Sequence, residues 1–322
     1  MNRAQIHIIS TINGQINEGM RNVATHISQA FEKTQEVKHS GLKNVASILI
    51  NARSADVVMV FARANKQVYW MSRIISKINK NLWIVCVQKP DPNFVSLVKK
   101  HPLKANYLSI YERDLDEVCL HEGFKKALFT VGINAEKFCP VDSTKQTELK
   151  NKYGIDSSNP LVVHVGHCSS GRGLEDFITI NNAERLIVAS GMFEDPEIVK
   201  RLEEANVRII RGYMEHVEEI YQMADVYLFP THSNEYVISL PLSVMEALSC
   251  GVPVLGYREF HNLNGIPATN GAITFVDNMT DINECIQIVA NKKSNMSYLQ
   301  SPKTWEQVAD DVLKTVLGSV SK

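Results

Sequence analysis

Short apolar runs recur along the chain, each closed by glycine, proline or a polar turn, with helical stretches between them. In the first half they fall at residues 6–10, 57–61, 83–87, 107–110 and 126–131; in the second at 161–165, 185–189, 207–211, 226–229, 253–256 and 273–276. Runs this short read as buried strands. Helices are predicted at 17–33, where Val23, Ile27, Ala30 and Phe31 form one stripe, at 42–52 and at 68–78. A last helix over 304–317 places Trp305, Val308, Val312 and Val316 at helical spacing. Strands alternating with helices predict parallel sheets covered on both faces. Each half is therefore expected to be a doubly wound α/β domain. The boundary is set in the turn at 132–142, giving domains 1–138 and 139–303 and a terminal helical segment 304–322.

The densest pattern lies between Ile220 and Tyr257. Two buried strands flank a helix predicted over 241–250, with Ser239 as its cap, Pro241 in its first turn and Gly251 at its exit. That helix is apolar nearly all round, yet Glu246 sits in its middle. A buried carboxylate needs a polar partner. An Arg, a Lys or the backbone inside the fold would serve, and so would the hydroxyl pair of a ligand, because the helix start offers free N–H groups to an anion such as phosphate.

Strand 161–165 runs into Gly166-His167-Cys168-Ser169-Ser170-Gly171-Arg172-Gly173. This nearly spells a phosphate loop of the G-x-x-x-x-G-K-[ST] type, but Arg172 stands at the lysine position and Gly173 has no hydroxyl for magnesium. His164 and His167 lie three apart on an extended chain, hence on opposite faces, and no third ligand follows at suitable spacing; no metal site is expected.

The run AD-V-x-L-x-P, a loop with a glutamate, and then LPLSVMEALSCGVPVL resembles the donor segment of retaining glycosyltransferases of family four. VGINAEKFCPV at 131–141 is similar to that family's hinge signature. The resemblance covers nearly all of the second half and is weaker in the first. It implies a GT-B fold of two Rossmann-like domains with parallel sheets, the last helix crossing back to the first domain. It also implies transfer of a hexosyl group from a UDP- or GDP-type sugar to a hydroxyl acceptor, a glycan, lipid-linked or polysaccharide precursor, with retention, without metal and without a further cofactor. By the same resemblance Arg172 and Glu235 are the catalytic residues. Gly14, His167, Arg172, Ser239 and Leu240 would hold the diphosphate, and Gly212, Tyr213 and Glu246 the base and ribose. The acceptor is placed near Asn13 and Gly14. Three positions depart from the family pattern: Ile238 for a glutamate, His167 for an arginine, and Gln88 or Lys89 where a histidine is common. They leave open a catalytically silent subunit that binds a nucleotide or a partner glycosyltransferase; a nucleotide-sugar epimerase is a further alternative.

Composition adds two points. Apolar content of 44% and charged content of 21% suit a globular protein. The absence of an eighteen-residue apolar run and of a signal-peptide pattern leads to the expectation of a cytoplasmic chain. The six cysteines are scattered and read as thiols. The net charge of −1 hides an asymmetry: up to Val141 there are 19 Lys and Arg against 11 Asp and Glu, beyond it 15 against 24. The basic half suggests peripheral contact with an anionic membrane, while the lack of aromatic interleaving argues against nucleic acid.

Overall fold

The computed structural model describes residues 3–10, 19–156, 158–191, 194–233 and 237–318. The chain divides into two compact units. The first takes residues up to Gly132, Val237–Leu240 and the chain from Lys303 onward; the second takes Ile133–Tyr236 and Pro241–Pro302. The division falls six residues before the boundary expected from the sequence, 132 against 138. Phe138, on the second unit's side of it, is buried and packs edge-on against Tyr221 while its carbonyl accepts a hydrogen bond from Ser249 Oγ at 2.5 Å.

The first unit is built on strands β1 (Gln5–Ser10), β2 (Glu36–Ser40), β3 (Val57–Phe61), β4 (Leu82–Cys86), β5 (Asn106–Ser109) and β6 (Lys126–Leu128). They form one parallel sheet in the order β2-β1-β3-β4-β5-β6. Helices α1 (Gly19–Glu32), α2 (Val45–Ser54), α3 (Lys66–Ile75) and α4 (Pro92–Lys100) connect successive strands. Asn44, Asn65 and Asp91 cap the last three through side-chain oxygens that accept from first-turn N–H groups. Ile48, Ala52, Val68, Tyr69, Phe94 and Val98 from α2, α3 and α4 share one core with the inner strands, so these helices cover the same face of the sheet.

In the second unit α5 (Ser143–Lys152) precedes β7 (Leu161–Gly166), followed by α6 (Asp176–Thr179), β8 (Glu184–Ala189), α7 (Pro196–Glu204), β9 (Arg208–Arg211), α8 (Glu218–Met223), β10 (Val226–Phe229), α9 (Leu242–Ser249), β11 (Val254–Tyr257), β12 (Ile273–Val276) and α10 (Met279–Ala290). The sheet is again parallel, in the order β12-β11-β10-β7-β8-β9. From β7 the chain winds outward through β8 and β9, then returns to β10 and winds the other way. The switch lies between β7 and β10, and in open α/β sheets the crevice beyond the carboxyl ends of such strands is where ligands bind.

The final helix, α11 (Trp305–Leu317), belongs to the first unit and packs along α1. Trp305, Val308, Val312 and Val316 are its buried face, and the Trp305 ring stacks on His26 with centroids 4.7 Å apart. Among the described residues no helix is long and apolar enough to cross a membrane.

Candidate functional site

The loop after β7 is shaped by the strands beneath it. His164 is fully buried, and its Nδ1 donates to the carbonyl of Leu228 on β10 at 3.1 Å, since a carbonyl can only accept. Nε2 then carries the lone pair and has no partner. Burial holds this imidazole neutral, its pKa down to about 3. A Cβ on Gly166 would lie 2.8 Å from that nitrogen, which explains the glycine. His164 also stacks on Tyr227, whose hydroxyl donates to the Val165 carbonyl at 3.2 Å.

Arg172 is fixed at the switch point itself. Gly173 has φ +72°, and a Cβ there would sit 2.2 Å from the Pro230 carbonyl oxygen, so the loop lies directly on the end of β10. Thr231 Oγ1 donates to the Arg172 carbonyl at 3.3 Å. The guanidinium Nε is buried and unpartnered, and burial lowers the pKa to about 10, which still leaves a full cation at neutral pH. A buried charge without an opposite charge is expensive. Among the described residues no carboxylate pairs with Arg172, and a guanidinium so placed suits an anion.

His167, which stands where the family pattern has an arginine, is neutral: burial, and then the Arg172 charge, bring its pKa to about 4. Its Nδ1 lies 2.6 Å from Ser190 Oγ on the turn after β8. It can serve an anion as a hydrogen-bonding group but not as a charge.

Helix α9 brings the third element. The expected cap is not found: the N-cap residue is Pro241, and no side chain caps the helix. Ser239 instead donates its hydroxyl to Asp114, and its backbone N–H to the Val87 carbonyl, within the first unit. Leu240 belongs to the first unit as well. The N-cap residue thus offers the first-turn N–H groups of α9 no side-chain acceptor, and free N–H groups at a helix start favour an anion. In the next turn Glu246 receives a hydrogen bond from Tyr221 Oη at 2.8 Å. Its partner is a phenol on α8 rather than the Arg, Lys or backbone group expected inside the fold. Loss of hydration pushes the Glu246 carboxyl up to about 7. The side chain still reaches solvent.

Gly212 ends β9 with φ +94°, its N–H donating to the Ala189 carbonyl at 3.0 Å, and Tyr213 beyond it is 62% exposed. The second unit therefore places Arg172, His167, Gly212 and Tyr213 on loops after the carboxyl ends of its strands, and Glu246 in the second turn of α9. Gly14, Asn13 and Glu235 lie outside the described residues. Sequence reasoning did not find Tyr221, Tyr227 or Ser190; each is polar only at its tip and reads as core or turn in a one-dimensional pattern. No group of three His, Cys, Asp or Glu positioned for a metal ion is present among the described residues.

The chain is thus two doubly wound units with parallel sheets, and Arg172 lies at the switch point of the second. Residues 172–291 match the family model of glycosyl transferases group 1. Over 137 residues the chain is 26% identical to alpha-galactosylglucosyldiacylglycerol synthase of Streptococcus pneumoniae, covering 38% of this chain and 35% of that protein. Over 134 residues it is 28% identical to N-acetyl-alpha-D-glucosaminyl L-malate synthase of Bacillus anthracis, covering 38% and 32%. The chain thus spans about a third of the length of the curated relatives it matches. In fold it is similar to Anabaena HepE solved with UDP-glucose, with TM-score 0.71 and 13% identity over 99% of this chain and 97% of that one. It is also similar to sucrose-phosphate synthase of Thermosynechococcus elongatus, with TM-score 0.73 and 16% identity over 99% and 100%. The architecture is the GT-B fold. Within that fold, residues 172–291 are the segment that is similar to the group 1 glycosyltransferases.

Proposed function

We propose that the protein is a retaining, metal-independent hexosyltransferase acting on a nucleoside diphosphate sugar of UDP or GDP type. In the reaction the bond from the anomeric carbon to the diphosphate breaks, its electron pair leaving on the phosphate oxygen. A bond to the acceptor hydroxyl oxygen forms on the same face, and the hydroxyl proton passes to the departing phosphate oxygen. Negative charge therefore grows on the diphosphate. Arg172 answers that charge, aided by the open N–H groups of α9 and by a hydrogen bond from neutral His167; preorganised donors of this kind do the work a metal ion does elsewhere. Glu246, oriented by Tyr221, holds the ribose hydroxyls, and the backbone at Gly212 and Tyr213 meets the base. Glu235 is the candidate for the sugar, Ser239 and Leu240 are further candidates for the diphosphate through their backbone, and Gly14 with Asn13 for the acceptor. The acceptor is a hydroxyl of a glycan or lipid-linked precursor, met by the basic first unit at an anionic membrane.

The observation that carries this reading is Arg172: a half-buried cation at the switch point, its Nε buried, with no carboxylate among the described residues to pair it. The UDP-glucose bound to Anabaena HepE is a ligand of the expected class on the same fold. Calorimetric titration with UDP, GDP and ADP in EDTA tests it. One nucleotide should bind, and Glu246→Ala should lose it; binding of none would refute the donor site. Nucleotide binding without transfer or hydrolysis of any sugar donor would assign the chain to the silent subunits instead.

A further inference from the structure

Between Val37 and Pro90 the sequence contains nine Lys and Arg and a single acid, Asp56. That acid is engaged, its carboxylate accepting from the Gln5 N–H at 2.8 Å. Within this stretch α3 is amphipathic in two senses. Its inner face, Val68, Tyr69, Ser72 and Ile75, is buried. Its outer face carries Trp70, Ile74 and, in the turn that prolongs the helix, Ile78, which are 48%, 52% and 41% exposed. Spaced four apart, these three side chains form a stripe roughly 80° wide on a helix of 3.6 residues per turn. Lys66, Arg73 and Lys77 project on one flank of that stripe, and Lys80 follows it; all four are exposed. Among the described residues none of them pairs with a carboxylate, whereas Lys99 on α4 holds Glu117 at 2.7 Å. Helix α2 on the same sheet face adds exposed Val45 and Ile50, again with only basic neighbours, Lys43 and Arg53.

An exposed row of one tryptophan and two isoleucines has a reason when it meets something apolar, and the unpaired cations beside it call for negative charge. A second copy of the chain would bring the same cations against themselves. A nucleic acid would offer phosphates but nothing for two aliphatic side chains. A bilayer with anionic headgroups supplies both, with acyl chains under the stripe, phosphates beside the cations, and the indole at the level where tryptophan settles. We propose that the outer face of α3, extended by α2, is a docking surface for anionic lipid. The proposal extends the membrane contact of the functional reading and names its surface; the donor chemistry is independent of it.

Trp70 is also the reporter. Trp83 is fully buried and Trp305 is 9% exposed, so a change in indole emission on binding comes from Trp70. Vesicles of phosphatidylcholine alone and with about one third phosphatidylglycerol are titrated into the full chain. The expected result is cosedimentation with the mixed vesicles, a blue shift of emission that Trp70→Phe abolishes, and release as salt rises from about 50 to 500 mM. Lys77→Gln with Lys80→Gln should lower partitioning roughly thirtyfold, and Ile74→Ser should weaken it at every salt concentration. All four positions are exposed, so thermal midpoints should stay unchanged. Equal binding to neutral vesicles, no binding to either, or variants that bind like the wild type would overturn the proposal. So would a dimer in sedimentation velocity that Ile74→Glu dissociates, since the face would then belong to a second copy. UDP and GDP titrations on the same preparations score the donor site separately.

Discussion

Glu246 sits in the second turn of α9 with a phenol as its hydrogen-bonding partner, and its carboxyl is pushed up to about 7. A carboxyl whose folded pKa exceeds its unfolded value binds its proton more tightly in the native state, so its ionisation lowers stability as pH rises from about 4.5 to about 7. Glu246→Gln removes that penalty and keeps an acceptor for Tyr221. It should stabilise the protein at pH 8 by an amount on the order of 3 kcal/mol at most, seen as a few degrees in Tm, and give no gain at pH 5. On the proposed reading, a pair of ribose hydroxyls is held by the ionised form. Nucleotide affinity of the wild type should therefore fall as pH drops through about 7, and the Gln variant should bind weakly at every pH. Calorimetry and thermal scans at the two pH values check both halves. A variant stabilised equally at pH 5 and pH 8 would show that desolvation is not the cause. Arg172 gives the complementary test. Charge-assisted hydrogen bonds contribute about 1.5–3 kcal/mol each, so Arg172→Gln should weaken a nucleoside diphosphate roughly tenfold to a hundredfold while leaving the bare nucleoside unchanged. Equal losses for both would place the guanidinium away from the phosphates.

At the scale of elements, glycines fix where the site's helix stops. Gly251 follows α9 with φ +68°, and a Cβ there would lie 2.2 Å from the Ser294 carbonyl oxygen and 2.9 Å from that of Met296. Gly271 has nearly the same backbone, φ +82°, but nothing within 4 Å of its Cβ position. The left-handed conformation alone costs a residue with a side chain about 1–2 kcal/mol. Gly271→Ala should lose about that much in denaturant unfolding; Gly251→Ala should lose clearly more, because backbone on another segment must move. Equal losses would mean that the loop at 294–296 yields freely. This exit was legible in the sequence as a glycine after an apolar helix, whereas the entrance was not. Ser239 has the chemistry of a cap but finds its acceptor in Asp114, a residue 125 positions away that no local pattern connects to it. Strands β1, β3, β4, β5, β7, β8, β10 and β11 announce themselves as apolar runs because they are largely buried in their sheets. The edge strand β2, Glu-Val-Lys-His-Ser, is polar and partly exposed and passes for a loop. Of the site, Arg172 and Glu246 were legible because charge is rare in buried segments; Tyr221 was not, since a buried tyrosine looks like core until its hydroxyl is seen to meet the carboxylate.

On the scale of the whole chain, the terminal helix decides the integrity of the first unit. Helix α11 lies more than 170 positions from the rest of that unit's sheet, 305 against 128, yet Trp305 fills the space over His26 and Gly132, where a glycine Cβ would come within 2.6 Å of the indole. Asn81 Nδ2 donates to the Val316 carbonyl at 3.1 Å and Lys33 meets Glu306 at 2.7 Å, so both ends of the helix are tied to the unit. Lys33 and Glu306 are well exposed, and such pairs add little; the buried indole carries the energy. Trp305→Ala should destabilise the first unit by about 3–5 kcal/mol, the usual loss for a buried large aromatic. Hydrogen exchange locates it. Amides of α1 and α11 should lose protection together, while those of β7, β8 and β10 keep theirs, because the second sheet has its own core of Val162, Ile187, Val226 and Leu228. A matching loss in the second sheet would mean that the two units unfold as one, and the closing helix would then stabilise the donor site as well as the fold that bears it.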